Sequence, residues 1–208
     1  MSAPVYHPEI EQGTDDWHAI RAGKWTASSG AKIMGGLDTQ GLKDLVKDLA
    51  WGRVFGKTDR GYSGKSMERG HELEPEAREA FAFEHDATVE QVGFVEHGRI
   101  AYLGWSPDGL HAQRKRGLEI KCLEHKAFID FFECRQVPSE YRWQVKIACM
   151  VGALDGLDFY VYHPLAGGIT VPVEITDAEK DQIEGRISIL EPRVQALVDR
   201  LMERKAAA

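Results

Sequence analysis

The chain has 208 residues, of which 43% are hydrophobic and 28% are charged, and its formal net charge is −7. These values predict one soluble globular domain over residues 1–208 with a sizeable core, and no apolar run is long enough to span a bilayer. The acidic balance argues against tight nonspecific coating of nucleic acid, because phosphate contacts usually come from a basic surface. An acidic net charge is still compatible with a channel whose lining is locally basic.

The three cysteines, Cys122, Cys134 and Cys149, are odd in number and have no CxxC spacing. They predict neither a disulfide framework nor a zinc knuckle. The N-terminus lacks the basic-then-apolar layout of a signal peptide. We therefore expect a reducing, cytoplasmic setting.

The first quarter of the chain predicts a surface arm over residues 1–13 and then an N-terminal helical block over about residues 14–56. Thr14 is a typical N-cap for a short helix that Gly23 ends, and Thr26 opens a second short helix. Apolar residues at helical spacing then predict a packing helix over residues 39–55.

Arg21 lies on the face of the first helix that carries Trp17, four residues earlier. The common explanation is an arginine whose stem covers the edge of a core. The alternative is an anion pocket for a phosphate, formed by Arg21 and the Ser28 hydroxyl at the start of the next helix. The local sequence alone favours the first explanation.

Residues 57–65 predict a basic loop, and apolar periodicity predicts a helix over about residues 66–84. Glu74 falls inside the apolar stripe of that helix, where a carboxylate needs a cation or a hydrogen-bond network. Pro75 allows a second interpretation, in which the helix starts there and Glu74 is only its N-cap. Capping and function have equal support at this position.

Two predicted strands, over residues 88–95 and 99–105, lead to the turn Ser-Pro-Asp-Gly at residues 106–109. In the strand that follows, Leu118 and Ile120 fall on one face and Glu119 and Lys121 on the other. The simplest interpretation is a half-buried strand with a solvated charged face.

A hairpin would instead bring Asp108 beside Glu119, and two converging carboxylates are costly unless a divalent cation lies between them. These carboxylates and the Ile120 carbonyl could hold Mg²⁺ or Mn²⁺ while leaving water positions open. Lys121 could orient or help deprotonate an attacking water and offset charge on a phosphorus centre.

The rest of the chain predicts helices and strands in alternation. A helix from Pro138 to Val151 turns Gln144 inward, either as a satisfied glutamine at the core margin or as a group that reaches the metal site. Strands follow over residues 159–163 and 169–175, the latter at a sheet edge because of Pro172. A helix over about residues 177–204 has a heptad-like apolar seam that favours docking on its own domain over contact with another subunit.

Several blocks in this order resemble the lambda-exonuclease or YqaJ-type viral recombinase family of the PD-(D/E)xK nuclease superfamily. The resemblance spans roughly residues 12–163. The blocks are QGTDDWHAIR (12–21), TAS (26–28), GHELE (70–74), AR (77–78), SPDGL (106–110), LEIKC (118–122) and QV (144–145). Together they imply an α/β (α+β) fold with a central mixed β-sheet flanked by helices.

The resemblance implies a role for each matching residue. Around the metal it implies Asp108, Glu119 and the backbone carbonyl of Ile120 as ligands, Lys121 as the catalytic lysine, and Glu74 and Gln144 as supporting catalytic residues. At a terminal 5′-phosphate it implies Arg21, Thr26, Ser28 and Ser106. The resemblance thus reverses the preference that local sequence gave for Arg21. The implied cofactor is Mg²⁺, with Mn²⁺ as a substitute and two ions per site.

The implied activity is 5′→3′ exonucleolytic degradation of one strand of linear double-stranded DNA, which leaves a 3′ single strand for a single-strand annealing protein. The implied assembly is a homotrimer ring through which DNA threads, acting in phage-type recombination. The expected location is the cytoplasm of a bacterial host, with a phage or prophage origin and no membrane partner. Two alternatives stay open: a structure-specific or restriction-type endonuclease with the same core, and a DNA-binding protein without turnover.

Overall fold

The computed structural model of the protein describes residues 3–56, 65–111 and 115–207. The elements of the first part are β1 (Val5–His7), α1 (Asp15–Arg21), β2 (Trp25–Thr26), a 3-10 turn (Ala27–Ser29), α2 (Gly30–Met34), α3 (Gln40–Phe55) and α4 (Lys65–Glu84). The remaining elements are β3 (Phe94–Glu96), β4 (Leu103–Trp105), β5 (Gly109–His111), β6 (Arg116–Cys122), α5 (His125–Cys134), α6 (Ser139–Val151), β7 (Gly156–His163), β8 (Gly167–Val173) and α7 (Asp177–Ala206).

Within the described residues, the strands form two four-stranded sheets, each with parallel and antiparallel pairs. The first sheet has the order β1-β3-β4-β2, with β2 and β4 parallel, and the second has the order β5-β6-β7-β8, with β6 and β7 parallel. The turn at residues 106–108 leads from β4 into β5 and so joins the two sheets. The predicted mixed α/β fold class is confirmed, with the strands divided between two sheets.

Helices cover both faces of the second sheet. On one face, α4 buries Ala77 and Phe81 against Leu118 and Ile120 of β6. On the other face, α5 and α6 pack on β6 and β7. Because Leu118 is fully buried, its replacement by alanine would cost about 2–5 kcal/mol of stability. The strand that carries Glu119 and Lys121 is therefore held between α4 and α6.

The C-terminal helix α7 begins at a capping box, in which the Thr176 side chain accepts from the Glu179 N–H and the Glu179 carboxylate accepts from the Thr176 N–H. Four residues of its apolar seam are buried, namely Ile183, Ile187, Leu190 and Val194, and the helix packs chiefly on α3. The predicted docking of this helix on its own chain is confirmed. In the described part of the chain, no helix has the length and apolar character needed to cross a bilayer.

Several predicted boundaries were wrong, and the reasons are tertiary. Residues 5–7 of the predicted surface arm form an exposed edge strand, because β1 pairs with β3 in the first sheet. The strands predicted over residues 88–95 and 99–105 shorten to β3 and β4, because residues 97–102 turn the chain and Tyr102 adopts a φ of 58°. The predicted loop at 57–65 lies outside the described residues except for Lys65, which begins α4.

Candidate active site

Asp108 occupies the turn between β4 and β5. Its Oδ2 accepts a hydrogen bond of 2.7 Å from the backbone N–H of Ile120. The β5–β6 hairpin pairs Gly109 with Leu118, so the predicted approach of Asp108 to Glu119 follows from the register. The turn is also held from outside, because the Gln12 side-chain amide donates to the carbonyl of Pro107 at 2.7 Å.

Glu119 is buried, with only 2% of its surface exposed. Its Oε1 accepts from the Lys121 ammonium at 2.7 Å and from the Gln144 amide. Gln144 thus points inward from α6 and reaches the carboxylate. The simple interpretation of a solvated charged face on this strand was wrong, because the parallel neighbour β7 and the covering helix α6 remove Glu119 from water.

Glu74 reaches the same region from α4. Its carboxylate accepts from the Arg78 guanidinium one helical turn later, and the Nε of Arg78 donates to the Asp108 carbonyl at 2.7 Å. Pro75 lies inside the helix and does not begin it, so Glu74 is not an N-cap. The capping interpretation of Glu74 is excluded, and the structure brings Glu74 beside the Asp108 turn.

The carboxyl groups of this cluster resist ionisation. Burial raises the pKa of Asp108 above its ordinary value, with opposition from Lys121 and from the Ile120 N–H. Burial raises the pKa of Glu119 to about 7. The Lys121 ammonium acts against this increase, and the charge of Asp108 adds to it. The pKa of Glu74 rises to about 7, from burial first and then from the charge of Asp108. A bound divalent cation would favour the ionised carboxylates and so lower these raised pKa values.

Lys121 has the opposite shift. Burial alone would lower the pKa of its ammonium, but the carboxylates of Glu119 and Asp108 outweigh burial and hold that pKa above its ordinary value. The ammonium also lies 4.9 Å from the centroid of the Tyr141 ring, which favours the charged form. Lys121 is therefore a fixed positive charge at neutral pH.

A second group of polar side chains adjoins the Asp108 turn. The Arg21 guanidinium donates to the Ser106 hydroxyl at 2.6 Å and to the Ser28 hydroxyl at 3.5 Å, and the Thr26 hydroxyl lies 3.1 Å from that of Ser28. The guanidinium stacks over the Trp17 ring at 4.3 Å. Burial lowers the pKa of Arg21 to about 10, and no carboxylate in the described part of the chain forms an ion pair with it. All four residues that sequence reasoning assigned to a phosphate therefore lie together.

Residues 16–154 match the profile of the YqaJ-like viral recombinase domain. The chain belongs to the YqaJ-like viral recombinase family. No curated protein matches the chain significantly. The matched range includes every proposed site residue of this YqaJ-family chain and excludes α7.

Solved structures extend the comparison beyond the family range. The YqaJ-family chain is similar to the crystal structure of an alkaline exonuclease (LHK-Exo) from Laribacter hongkongensis, with 30% sequence identity, a TM-score of 0.83, and coverage of 93% of this chain and 98% of that one. The complex of LHK-Exo with dAMP matches equally well. A phage related exonuclease from Haemophilus somnus 129PT is 17% identical with a TM-score of 0.62 over 88% of this chain and 96% of that one, so it shares the fold.

The site residues of the YqaJ-family chain fit a divalent cation bound by oxygen. Among residues 3–56, 65–111 and 115–207, no three His, Cys, Asp or Glu side chains converge as a preformed metal site. The expected set needs only two carboxylates and a carbonyl, because water or DNA oxygens fill the other positions. Glu119 provides a buried oxygen, Oε2, which has no hydrogen-bond partner in the described residues. Such an oxygen is costly to bury unless a cation takes it.

Sequence reasoning assigned no role to three residues that contact the site. Arg78 bridges Glu74 and the Asp108 turn, and Gln12 holds that turn from the N-terminal segment. Tyr141 lies under the Lys121 ammonium. The i,i+4 spacing of Glu74 and Arg78 is a local signal that could have identified Arg78. Gln12 and Tyr141 depend on tertiary contacts.

Proposed function

We propose that this YqaJ-family chain is a divalent-metal-dependent 5′→3′ exonuclease that degrades one strand of linear double-stranded DNA. The observation that carries the proposal is a single turn with two neighbouring sites. Asp108 adjoins the buried acid Glu119, and Ser106, two residues earlier, accepts from an arginine that has no carboxylate partner in the described residues. Phosphodiester hydrolysis requires the first site, and recognition of a phosphorylated end requires the second. The similarity to LHK-Exo supports the same activity class.

The residues that would hold the metal are Asp108, Glu119 and the backbone carbonyl of Ile120. Hard oxygen ligands favour Mg²⁺, with Mn²⁺ as a substitute, and we expect two ions per site. When bound, such ions supply Lewis-acid stabilisation of charge on the attacking and leaving oxygens of a phosphodiester. Gln144 would keep the Glu119 carboxylate oriented, because it already donates to Oε1. Glu74, held by Arg78, would support the site from the α4 side.

Lys121 would act as a cation and not as a base. Its ammonium is fixed by the 2.7 Å hydrogen bond to Glu119 and by the Tyr141 ring. Because the two carboxylates raise its pKa, the ammonium keeps its proton at neutral pH. Such a donor can orient an attacking water and offset the negative charge that builds on phosphorus.

Arg21, Thr26, Ser28 and Ser106 would bind the terminal 5′-phosphate. A guanidinium and hydroxyl groups are the donors that a phosphate requires, and a half-buried arginine without a carboxylate partner in the described residues gains free energy from a bound anion. LHK-Exo has been solved in complex with dAMP, a nucleoside monophosphate, and binding of such a ligand by a similar protein is compatible with a phosphate pocket in this chain. The pocket would set the enzyme on a DNA end, so that the scissile bond enters the Asp108 site.

The family suggests the wider setting. We propose that the enzyme works as a homotrimer ring that encircles DNA, in the cytoplasm of a bacterial host, and that its origin is a phage or prophage. It would leave a 3′ single strand for a single-strand annealing protein. No membrane partner is part of this proposal.

The test is digestion of linear duplexes labelled at one end, with Mg²⁺ or EDTA and with a 5′-phosphate or a 5′-hydroxyl. We expect Mg²⁺-dependent loss of the 5′-terminal label as mononucleotide, faster from phosphorylated ends. Covalently closed circular duplex is the matched control, which an end-dependent exonuclease leaves intact. Cleavage of the circle would favour an endonuclease, and absence of cleavage with both Mg²⁺ and Mn²⁺ would favour a binding protein without turnover.

A further inference from the structure

We infer that the ion pair of Arg53 on α3 and Glu191 on α7 is a positioning device for the 5′-phosphate pocket, because it fixes the segment 22–25 that separates Arg21 from Thr26 and Ser28. The inference rests on the proposed recognition of a 5′-phosphate. It assigns a specificity role to α7, which lies outside the matched family range.

The Arg53 guanidinium uses its donors on two different partners. Its two terminal nitrogens both donate to the Glu191 carboxylate, and Nε donates to the carbonyl of Gly23 at 2.9 Å. Its side chain is only 5% exposed, and its flat face lies 3.8 Å from the centroid of the Tyr102 ring. The guanidinium is therefore held in one orientation, and that orientation determines where the Gly23 carbonyl lies.

Gly23 is pressed against α3 so closely that no side chain fits between them. Gly23 has a φ of +73°, and a Cβ added there would lie 2.5 Å from the Cγ of Arg53. From the other side, a Cβ added at Gly52 would lie 2.4 Å from the backbone nitrogen of Gly23. The position of the turn after α1 is thus set by α3 and by the arginine on it.

Glu191 also holds the other end of the same segment. Its Oε2, which accepts from Arg53, accepts from the indole nitrogen of Trp25 at 2.8 Å as well. Trp25 is fully buried, and its backbone N–H donates to the carbonyl of Tyr102 at 2.6 Å. One carboxylate on α7 therefore fixes Trp25 directly and Gly23 through Arg53.

The fixed segment connects the two halves of the pocket. Arg21 is the last residue of α1, directly before residues 22–25, and Thr26 follows directly after them. The distance of 3.5 Å between the Arg21 guanidinium and the Ser28 hydroxyl thus depends on the path of the segment 22–25 between them. A positioning role also explains why the buried Arg53 guanidinium is paired with the half-buried Glu191 carboxylate, since an ion pair removed from water is often no more stabilising than an apolar replacement.

The experiment compares binding of 5′-phosphorylated and 5′-hydroxyl blunt duplexes by fluorescence anisotropy, with Ca²⁺ in place of Mg²⁺, and then the ratio of cleavage rates on the two ends in Mg²⁺. The test variants are Arg53→Lys, which keeps the charge and loses the planar fork, and the milder Glu191→Gln. Arg99→Gln removes another ion pair with α7, to Glu184, that does not contact residues 22–25. Ile187→Val weakens α7 packing without touching polar groups.

We expect Arg53→Lys and Glu191→Gln to lower the phosphate preference by at least about fivefold in binding and in kcat/KM, because charge-assisted hydrogen bonds to the phosphate depend on geometry. Both control variants should keep the parent preference. A parent preference that persists in folded Arg53→Lys and Glu191→Gln would overturn the inference, and so would an equal loss for both types of end. A parent protein without any phosphate preference would instead contradict the phosphate pocket of the proposed function.

Discussion

The affinity for Mg²⁺ should rise steeply between pH 6 and pH 8. Glu119 must ionise to bind a cation, and its pKa is about 7 because the side chain is buried. A group with that pKa is roughly nine-tenths protonated at pH 6 and roughly one-tenth protonated at pH 8. The apparent dissociation constant should therefore fall about tenfold over this range from Glu119 alone. If binding also requires Glu74 to ionise, whose pKa is also about 7, the fall approaches about a hundredfold.

The ionisation of Glu119 should also make the stability of the metal-free protein fall as the pH rises. The unfolded chain loses the Glu119 proton near pH 4.5, whereas the folded protein keeps it to about pH 7. In the absence of metal, the folded state therefore loses stability as the pH rises from about 4.5 to 7, by up to about 3 kcal/mol. Mg²⁺ should offset this loss, so it should raise Tm more at pH 8 than at pH 6.

Isothermal titration with Mg²⁺ at pH 6, 7 and 8, alongside thermal unfolding in Mg²⁺ and in EDTA, measures both effects. Glu74→Gln is the matched variant. It should reduce the difference in Mg²⁺ affinity between pH 6 and pH 8, because the Glu74 charge is one of the causes that raise the pKa of Glu119. An affinity for Mg²⁺ that is equal at pH 6 and pH 8, or greater at pH 6, would refute the assignment of Glu119 as a buried metal ligand.

Three further substitutions test separate parts of the site. Lys121→Ala should reduce cleavage by at least about a hundredfold while gel-shift affinity for DNA persists, and near-normal cleavage would contradict the role of its ammonium. Arg21→Ala should bring the ratio of rates on 5′-phosphate and 5′-hydroxyl ends to one, and a ratio that stays at the parent value would remove Arg21 from the pocket. Gln144→Leu deprives the Glu119 carboxylate of a donor, so Mg²⁺-dependent cleavage should fall about 10–100-fold, and an unchanged Mg²⁺ titration of the rate would contradict this support.

The core of the site could be predicted because its geometry is local. A turn after an apolar strand, followed by a strand with a period of two, predicts a hairpin, and the hairpin brings Asp108 to Glu119. The inward direction of Gln144 follows from helical periodicity in the same way. The burial of Glu119 could not be predicted, because it depends on the parallel neighbour β7 and on α6, to which the alternation of residues 118–122 gives no clue.

The residues that hold the site in place were not predicted from the sequence, because their contacts join distant parts of the chain. Gln12 reaches Pro107, and Glu191 reaches Arg53 and Trp25, across separations of roughly a hundred residues or more. No periodicity or cap connects such pairs. The shortening of β3 and β4 has a similar origin, since the turn at 97–102 is fixed by packing on α3 and by the Trp25 strand. Sequence patterns predict the groups proposed to do the chemistry better than the groups that hold them in place.

The central claim is that Asp108 and Glu119 together bind the divalent ion on which cleavage depends. Crystals soaked in Mn²⁺ and measured at the manganese absorption edge test it most directly. We predict an anomalous peak within coordination distance of a carboxylate oxygen of Asp108, of Glu119 Oε2 and of the Ile120 carbonyl, and its loss in Glu119→Gln. Manganese bound only elsewhere on the protein, or a peak that persists at full height in Glu119→Gln, would contradict the claim.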